Sequence, residues 1–205
     1  VVNKKGKFNY KLSNFLIYVL LATVCDVMPL RYLNRTIAKN VLKKFDIKKN
    51  IPFNILFKLN NKKDQLTIED LGYLIGPIIN SAGRLNDRSI GISCLWEIDN
   101  SAAKKYAIQL EQLNLERRSI EVNMREEGLE ILEKINMDDK DLPWGICLFD
   151  SNWHQGVVGL LASRIKDHLH RPAVIFAEAW GWKEKKEYKG SARSIPGLHI
   201  RDALE

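Results

Sequence analysis

The sequence predicts an α/β chain: a run of helices, one long helix, then a small α/β unit. Three observations carry this. The segments up to Trp96 read as a series of helices. Asn100 to about Ile135 keeps a single apolar seam at three-four spacing. After it, Trp144–Phe149, Val157–Leu169 and Ala173–Ala177 run strand, helix, strand, which is the order of a unit with a parallel strand pair.

Each element has its own signal. Residues 1–10 are polar and basic without a period, and read as a disordered lead-in. Leu12–Cys25 is an apolar helix ending at Asp26, and Pro29 breaks the backbone after it. Leu33, Ile37, Val41 and Phe45 recur in steps of four and predict one face of an amphipathic helix. Pro52 opens a short helix through Leu59, since proline suits a first helical turn. Asn60–Gln65 is a polar loop. Thr67 is an N-cap, with Glu69 and Asp70 in the first turn, where acids suit the helix dipole. That helix should reach Ile75 and be interrupted by Gly76-Pro77. Asn80–Asp87 reads as a loop or broken turn, and Ser89–Trp96 as a short helix.

In the long helix, Tyr106, Leu110, Leu113, Ile120, Met124, Ile131 and Ile135 form the seam, while Glu121 and its charged neighbours lie off it. A helix of ~35 residues is ~50 Å long, enough to bridge two cores; the other reading is an antiparallel helix broken at Gly128. Met137–Pro143 is an acidic turn, and Asp138, Asp139 and Asp141 in it read as solvated. Trp180–Glu187 is a charged loop, Tyr188–Ile195 a third strand, and Leu198–Leu204 the start of a helix after the Pro196-Gly197 turn.

At 205 residues the chain is one large domain or two small ones, and 45% hydrophobic residues suffice for a core. A net charge of +7 favours a polyanionic partner, although lysine-rich solvated faces give the same number. Residues 1–63 have only Asp26 and Asp46 as acids. Cys25, Cys94 and Cys147 form neither a close pair nor a zinc spacing, which points to a reducing, cytoplasmic setting. The longest apolar run, Phe15–Cys25, is shorter than the ~20 residues a bilayer needs. Val at position 1 and a helix still running at Glu205 suggest a piece of a longer protein.

The densest chemistry lies in Tyr188–Asp202. Gly190 and Gly197 allow close backbone approach, Ser191 and Ser194 supply hydroxyls, and Arg193 supplies a planar fork of donors suited to phosphate. A cradle of this kind before a helix is an anion site, or else an ordinary strand and turn with a surface arginine. Upstream, Asp150–Arg164 places Trp153, His154 and Gly156 at a strand end before a helix, where open α/β sheets bind ligands. His154 has no nucleophile beside it in sequence and reads as a structural or strand-contacting histidine. Trp153, Trp180 and Trp182 are candidates for base stacking or for packing.

WHQGVVGLLASR, HRPAVIF and GSARSIPGLHIRDALE together resemble the C-terminal part of the RecJ-type exonucleases, in the DHH phosphoesterase superfamily. ATVCDVMPL (Ala22–Leu30) and GPIINSAGRL (Gly76–Leu85) agree in the right order, so the resemblance runs from about Ala22 to Glu205. It implies three parts: 1–99, the helical end of a DHH catalytic domain; 100–136, a linking helix; and 137–205, a truncated DHH-associated domain that grips substrate.

The complete family member would remove nucleotides from the 5′ end of single-stranded DNA in recombination and repair, using a pair of Mg or Mn ions. The resemblance makes Asp26 a metal ligand, where residue type alone makes it a helix-terminal acid with a local hydrogen bond. It makes Ser191 and Arg193 phosphate contacts, and adds Asn80, Arg84, His154 and Ser194 to the strand-binding set. Cys25 replaces a usually small residue, Ile78 a usual arginine and Ser81 a usual alanine. The upstream DxD and DHH motifs are absent from this sequence, so the chain by itself is expected to be inactive, with the missing segment as a possible separate chain. The alternatives are a non-catalytic module that binds single strands, and another DHH phosphoesterase acting on short oligonucleotides or cyclic dinucleotides.

Overall fold

The computed structural model describes residues 12–62, 65–134, 143–180 and 186–205. The lead-in at 1–10, Ile135, the acidic turn with Asp138, Asp139 and Asp141, and Trp182 lie outside them. Contacts divide the chain into two compact units, Val1–Gln112 and Leu113–Glu205.

The first unit is helical. A 3₁₀ turn, Leu12–Phe15, leads into α1 (Leu16–Cys25), followed by α2 (Tyr32–Lys44), a 3₁₀ turn (Ile47–Lys49) and α3 (Ile51–Leu59). α3 starts where the sequence places it: Asn50 caps it by accepting from the Phe53 N–H at 3.2 Å, and Pro52 fills the first turn. A π-helical stretch, Asp70–Ile75, then runs directly into α4 (Gly76–Leu85), and α5 (Ser89–Trp96) follows. Leu20, Phe53, Leu56, Leu71, Ile75 and Ile78 are fully buried and form the core.

Three expectations are corrected here. Gly76-Pro77 does not end the helix. The π stretch passes its last bond from the Gly76 N–H to the Leu71 carbonyl, which puts Pro77 in a fresh first turn where its missing N–H costs nothing. Asn80–Leu85 is therefore helix, with Ser81 and Ala82 buried. The Ser81 hydroxyl donates to the Ile78 carbonyl at 2.7 Å and lies 3.2 Å from that of Leu110, which is how a polar residue fits the core. In α2 the buried positions are Ala38 and Val41, while Leu33 is exposed, so the inward face is narrower than the spacing suggests.

α6 is one helix, Asn100–Lys134. Its first part belongs to the first unit and its second part, from Leu113, to the second. Buried along it are Ala103, Ala107, Leu110, Leu113, Met124 and Leu132, and also Asn114 and Glu121. Glu121 thus corrects the seam, which expected it outside.

The second unit adds β1 (Ile146–Asp150), α7 (Val158–Leu169), β2 (Ala173–Trp180), β3 (Lys186–Arg193) and α8 (Ile200–Leu204). The sheet order is β1-β2-β3. β1 and β2 are parallel with Ile146 opposite Ala173, and β3 returns antiparallel with Ser191 opposite Ile175 and Arg193 opposite Ala173. Ile146, Leu148, Ala173, Ile175 and Ala177 are buried, as are Leu161, Ala162 and Ile165 of α7. Gly190 has a packing reason: a Cβ there would lie 2.5 Å from the ring of Phe176, directly across the ladder.

Candidate nucleic-acid interface

Alternation along β3 puts Ser191 and Arg193 on one face, and the register carries them over the start of α7. They converge there. Arg193 Nη1 donates to Ser191 Oγ at 3.1 Å and to the Ala192 carbonyl at 3.0 Å. A methyl carbon built on Gly159, in the first turn of α7, would lie 3.1 Å from both Arg193 Nη2 and Ser191 Oγ. A guanidinium, a hydroxyl and the open backbone of a helix start therefore meet at one spot. No side chain caps α7; the Leu160 N–H bonds to the Val157 carbonyl at 2.8 Å, which leaves the Val158 and Gly159 N–H groups ahead of it without an intrahelical acceptor. Helix starts of this kind carry partial positive charge and suit an anion.

The loop from β1 to α7 is firmly built. Asp150 Oδ1 accepts from the Asn152 N–H at 2.8 Å, and His154 Nδ1 accepts from the Gly156 N–H at 3.1 Å. With Nδ1 accepting, the neutral ring carries its proton on Nε2. Trp153 is 2% exposed, and its indole N–H donates to Glu127 of α6 at 2.8 Å. Trp153 is thus a packing anchor. Among the described residues no hydrogen bond joins His154 to Ser191 or Arg193. Ser194 serves the turn: its Oγ accepts from the Ile200 N–H at 3.1 Å, at the start of α8.

The opposite face of the sheet is open and aromatic. Phe149 and Tyr188 stack edge to face at 5.3 Å, and Lys186 Nζ lies 6.0 Å from the centre of the Tyr188 ring. Sequence reasoning passed over this pair because each aromatic alone looks like a strand residue. Their shared outward phase in β1 and β3 was the available signal.

The remaining candidates lie in the first unit. Asn80 and Arg84 are one helical turn apart on α4, both exposed, and so share a face. Ile78 is 1% exposed and belongs to the core. Asp26 is the exposed cap residue of α1. Behind it the chain turns through Val27 at φ 53°, with Val27 N–H bonded to the Val24 carbonyl at 3.1 Å and Met28 N–H to that of Thr23 at 2.9 Å. A β-branched residue in the left-handed region stores strain. Beside it, burial and then the Asp26 charge push the Cys25 thiol above its ordinary range.

Among the described residues no group of three or more His, Cys, Asp or Glu is placed to hold a metal. Asp26 therefore lacks the donor set that a magnesium or manganese pair requires, and these residues alone do not fit one. Among the described residues no helix is long and apolar enough to cross a membrane.

A strand-end loop, a helix start without a side-chain cap and a returning strand bearing Ser and Arg define a small α/β domain. Residues 143–205 match the DHHA1 domain. Over almost its whole length the chain is similar to the single-stranded-DNA-specific exonuclease RecJ. It is 41% identical over 195 residues to that of Haemophilus influenzae, covering 94% of this chain and 33% of the relative. It is 41% identical over 196 residues to that of Escherichia coli K12, covering 95% and 33%. The solved structure of RecJ with Mg²⁺ from Thermus thermophilus superposes with a TM-score of 0.77 at 24% identity, over 94% of this chain and 28% of that one. The same protein has also been solved with Mn²⁺. The resemblance read from the motifs holds, and so does the α/β class. The chain spans about a third of the length of these curated relatives.

Proposed function

We propose that this chain is the strand-gripping C-terminal portion of a RecJ-like 5′ exonuclease for single-stranded DNA, acting in recombination and repair. The observation that carries the reading is the convergence of Arg193 and Ser191 over Gly159 at the bare start of α7. A backbone phosphate seated there would accept from the guanidinium, the serine hydroxyl and the first N–H groups of the helix. Such contacts hold a strand without reading its bases. His154 offers Nε2–H from the neighbouring loop, while Asn80 and Arg84 offer an amide and a cation on the first unit.

Asp26 is the one residue of this chain proposed as a ligand toward the Mg or Mn ions. Such ions would supply an activated water and stabilise the leaving oxygen. The other ligands are assigned to sequence outside this chain, which can be a separate polypeptide. By itself the chain is proposed to hold DNA and hydrolyse none. Three free cysteines suit a cytoplasmic setting.

The test is single-stranded DNA binding by Gly159→Ala and Arg193→Ala. Gly159→Ala sets a methyl 3.1 Å from both Arg193 Nη2 and Ser191 Oγ, so those two side chains must give way and the cradle is displaced. It should bind more weakly, with circular-dichroism melts checking that the fold is kept. Arg193→Ala should weaken binding by about 1–3 kcal/mol and flatten its salt dependence. If both variants bind like the parent at every salt concentration, the grip is elsewhere.

A further inference from the structure

A second concentration of charge lies in the first unit, on a surface the proposed grip does not use. Between Arg31 and Lys62 the sequence has nine Lys or Arg and only Asp46 as an acid. The fold gathers five of these cations around one hollow of about 710 Å³ between the end of α2, the 3₁₀ turn and α3. Lys43 and Lys44 come from the last turn of α2, Lys58 from the last turn of α3, Lys48 from the 3₁₀ turn, and Lys62 from beyond α3. Phe57, 3% exposed, lies at its base.

Cations at helix ends offset the macrodipole, and that explains Lys43, Lys44 and Lys58 one at a time. It does not explain why two helix ends turn them into the same hollow. Nor are the charges neutralised locally. Lys62 pairs with Asp70 at 2.8 Å. Asp46, the acid on the rim, accepts from the Lys48 N–H at 3.0 Å and pairs with Lys49 at 3.5 Å. Among the described residues Lys43, Lys44, Lys48 and Lys58 make no ion pair. Like charges held around a low-dielectric wall focus their field into the hollow and raise the local concentration of anions.

We infer that this hollow holds backbone phosphates of single-stranded nucleic acid, as a second grip carried by the helical unit. The identity of the strand rests on the function proposed above; the residues are separate from Ser191 and Arg193. Ammonium groups act as point charges on flexible stems, so the grip is independent of sequence and strongly dependent on salt.

The test uses the full chain and a labelled thymidine oligonucleotide longer than a ~16-nucleotide site. Anisotropy titrations at several salt concentrations compare the parent, a Lys43→Gln/Lys48→Gln/Lys58→Gln triple variant, the matching Lys→Arg triple variant, and Arg193→Ala. All three lysines are exposed, and matched circular-dichroism melts verify folding. The Gln triple variant should bind roughly tenfold or more weakly at low salt, with a log–log salt slope shallower by about 2, while the Arg triple variant keeps parental binding. Inorganic polyphosphate should displace the oligonucleotide from Arg193→Ala, because the hollow still works there. Parental affinity and slope in the Gln triple variant overturn this inference. If Arg193→Ala alone loses binding, the hollow fails and the first grip stands. If the Gln triple variant alone loses it, the hollow stands and the first grip fails.

Discussion

A carboxylate stays charged inside a protein only when its neighbours outweigh the cost of leaving water. Asp70 meets that condition. It is buried, and burial by itself raises its pKa. The Lys62 ammonium at 2.8 Å and the Thr67 N–H and hydroxyl, each at 3.0 Å, more than reverse this and hold the carboxyl below its ordinary range. Thr67 Oγ1 accepts in return from the Asp70 N–H at 3.1 Å, so the cap is reciprocal. The sign follows from the direction. A carboxyl depressed in the folded state adds stability above its unfolded pKa of ~3.9, and that stability is lost as pH falls through the folded value. Asp70→Asn should therefore cost about 1–2 kcal/mol at neutral pH, with Lys62 partly exposed and the pair discounted accordingly. The gap between parent and variant in thermal melts should narrow below about pH 4. A gap unchanged from pH 7 to pH 3 would show that Asp70 contributes by shape, not by charge. Thr67 and its acidic first turn were legible in the sequence because a cap is a local rule. Ser191 and Arg193 stood out by residue type and by the resemblance, and strand alternation puts them on one face. That Gly159 lies beneath them was not legible, since nothing local connects residues so far apart. Nor was Val27 at positive φ, because valine is among the residues least suited to it.

Among the elements, α6 shows what periodicity can and cannot resolve. Its length and bounds follow from the apolar spacing. The acid on its buried side does not, because a glutamate in a seam reads as a surface residue until its partners are known. Arg117 donates to Glu121 at 2.6 Å and to Asn114 at 2.9 Å, and Arg164 of α7 donates to the other Glu121 oxygen at 3.0 Å. Arg117 and Glu121 are four residues apart, which was visible in the sequence; Arg164 is brought in by the fold. Gly128, read as a possible break, instead lies under α7, where a Cβ would sit 3.6 Å from Leu161 and 3.7 Å from Ile165. These are ordinary van der Waals distances, so α7 packs here without requiring a glycine. The network predicts an asymmetry. Glu121→Ala removes the carboxylate beside the mostly buried guanidinium of Arg117, which keeps its bond to Asn114, and should cost about 3 kcal/mol. Arg164→Ala removes a side chain that is 59% exposed and should cost less than about 1 kcal/mol. Chemical unfolding of the two variants measures both. Equal losses would mean that Glu121 is held by Arg164 and not by its own helix.

At the scale of the molecule, the question is where one folding unit ends. Sequence reading treats residues 100–136 as a connector between parts 1–99 and 137–205. Contacts divide the chain inside that helix, between Gln112 and Leu113. The side chains show why this matters. Leu110 is fully buried in the helical unit, and its carbonyl lies within reach of Ser81. Beyond the division, Glu121 binds Arg164, Glu127 receives the indole N–H of Trp153, and Gly128 packs beside Leu161. Each half of α6 is thus the wall of a different core. A fragment of residues 137–205 would expose Leu161 and leave Trp153, which shapes the β1–α7 loop, without its acceptor. A fragment of residues 113–205 would keep both. Expressed separately, 113–205 should melt cooperatively and keep the near-ultraviolet signal of a packed tryptophan. The 137–205 fragment should melt more than about 10 °C lower, since each lost kcal/mol shifts a domain of this size by roughly 4–8 °C. Single-stranded DNA binding should survive only in the longer fragment, because the cradle at the start of α7 depends on that loop. Equal melting temperatures for the two fragments would show that α6 is a connector throughout, and that the α/β unit folds without it.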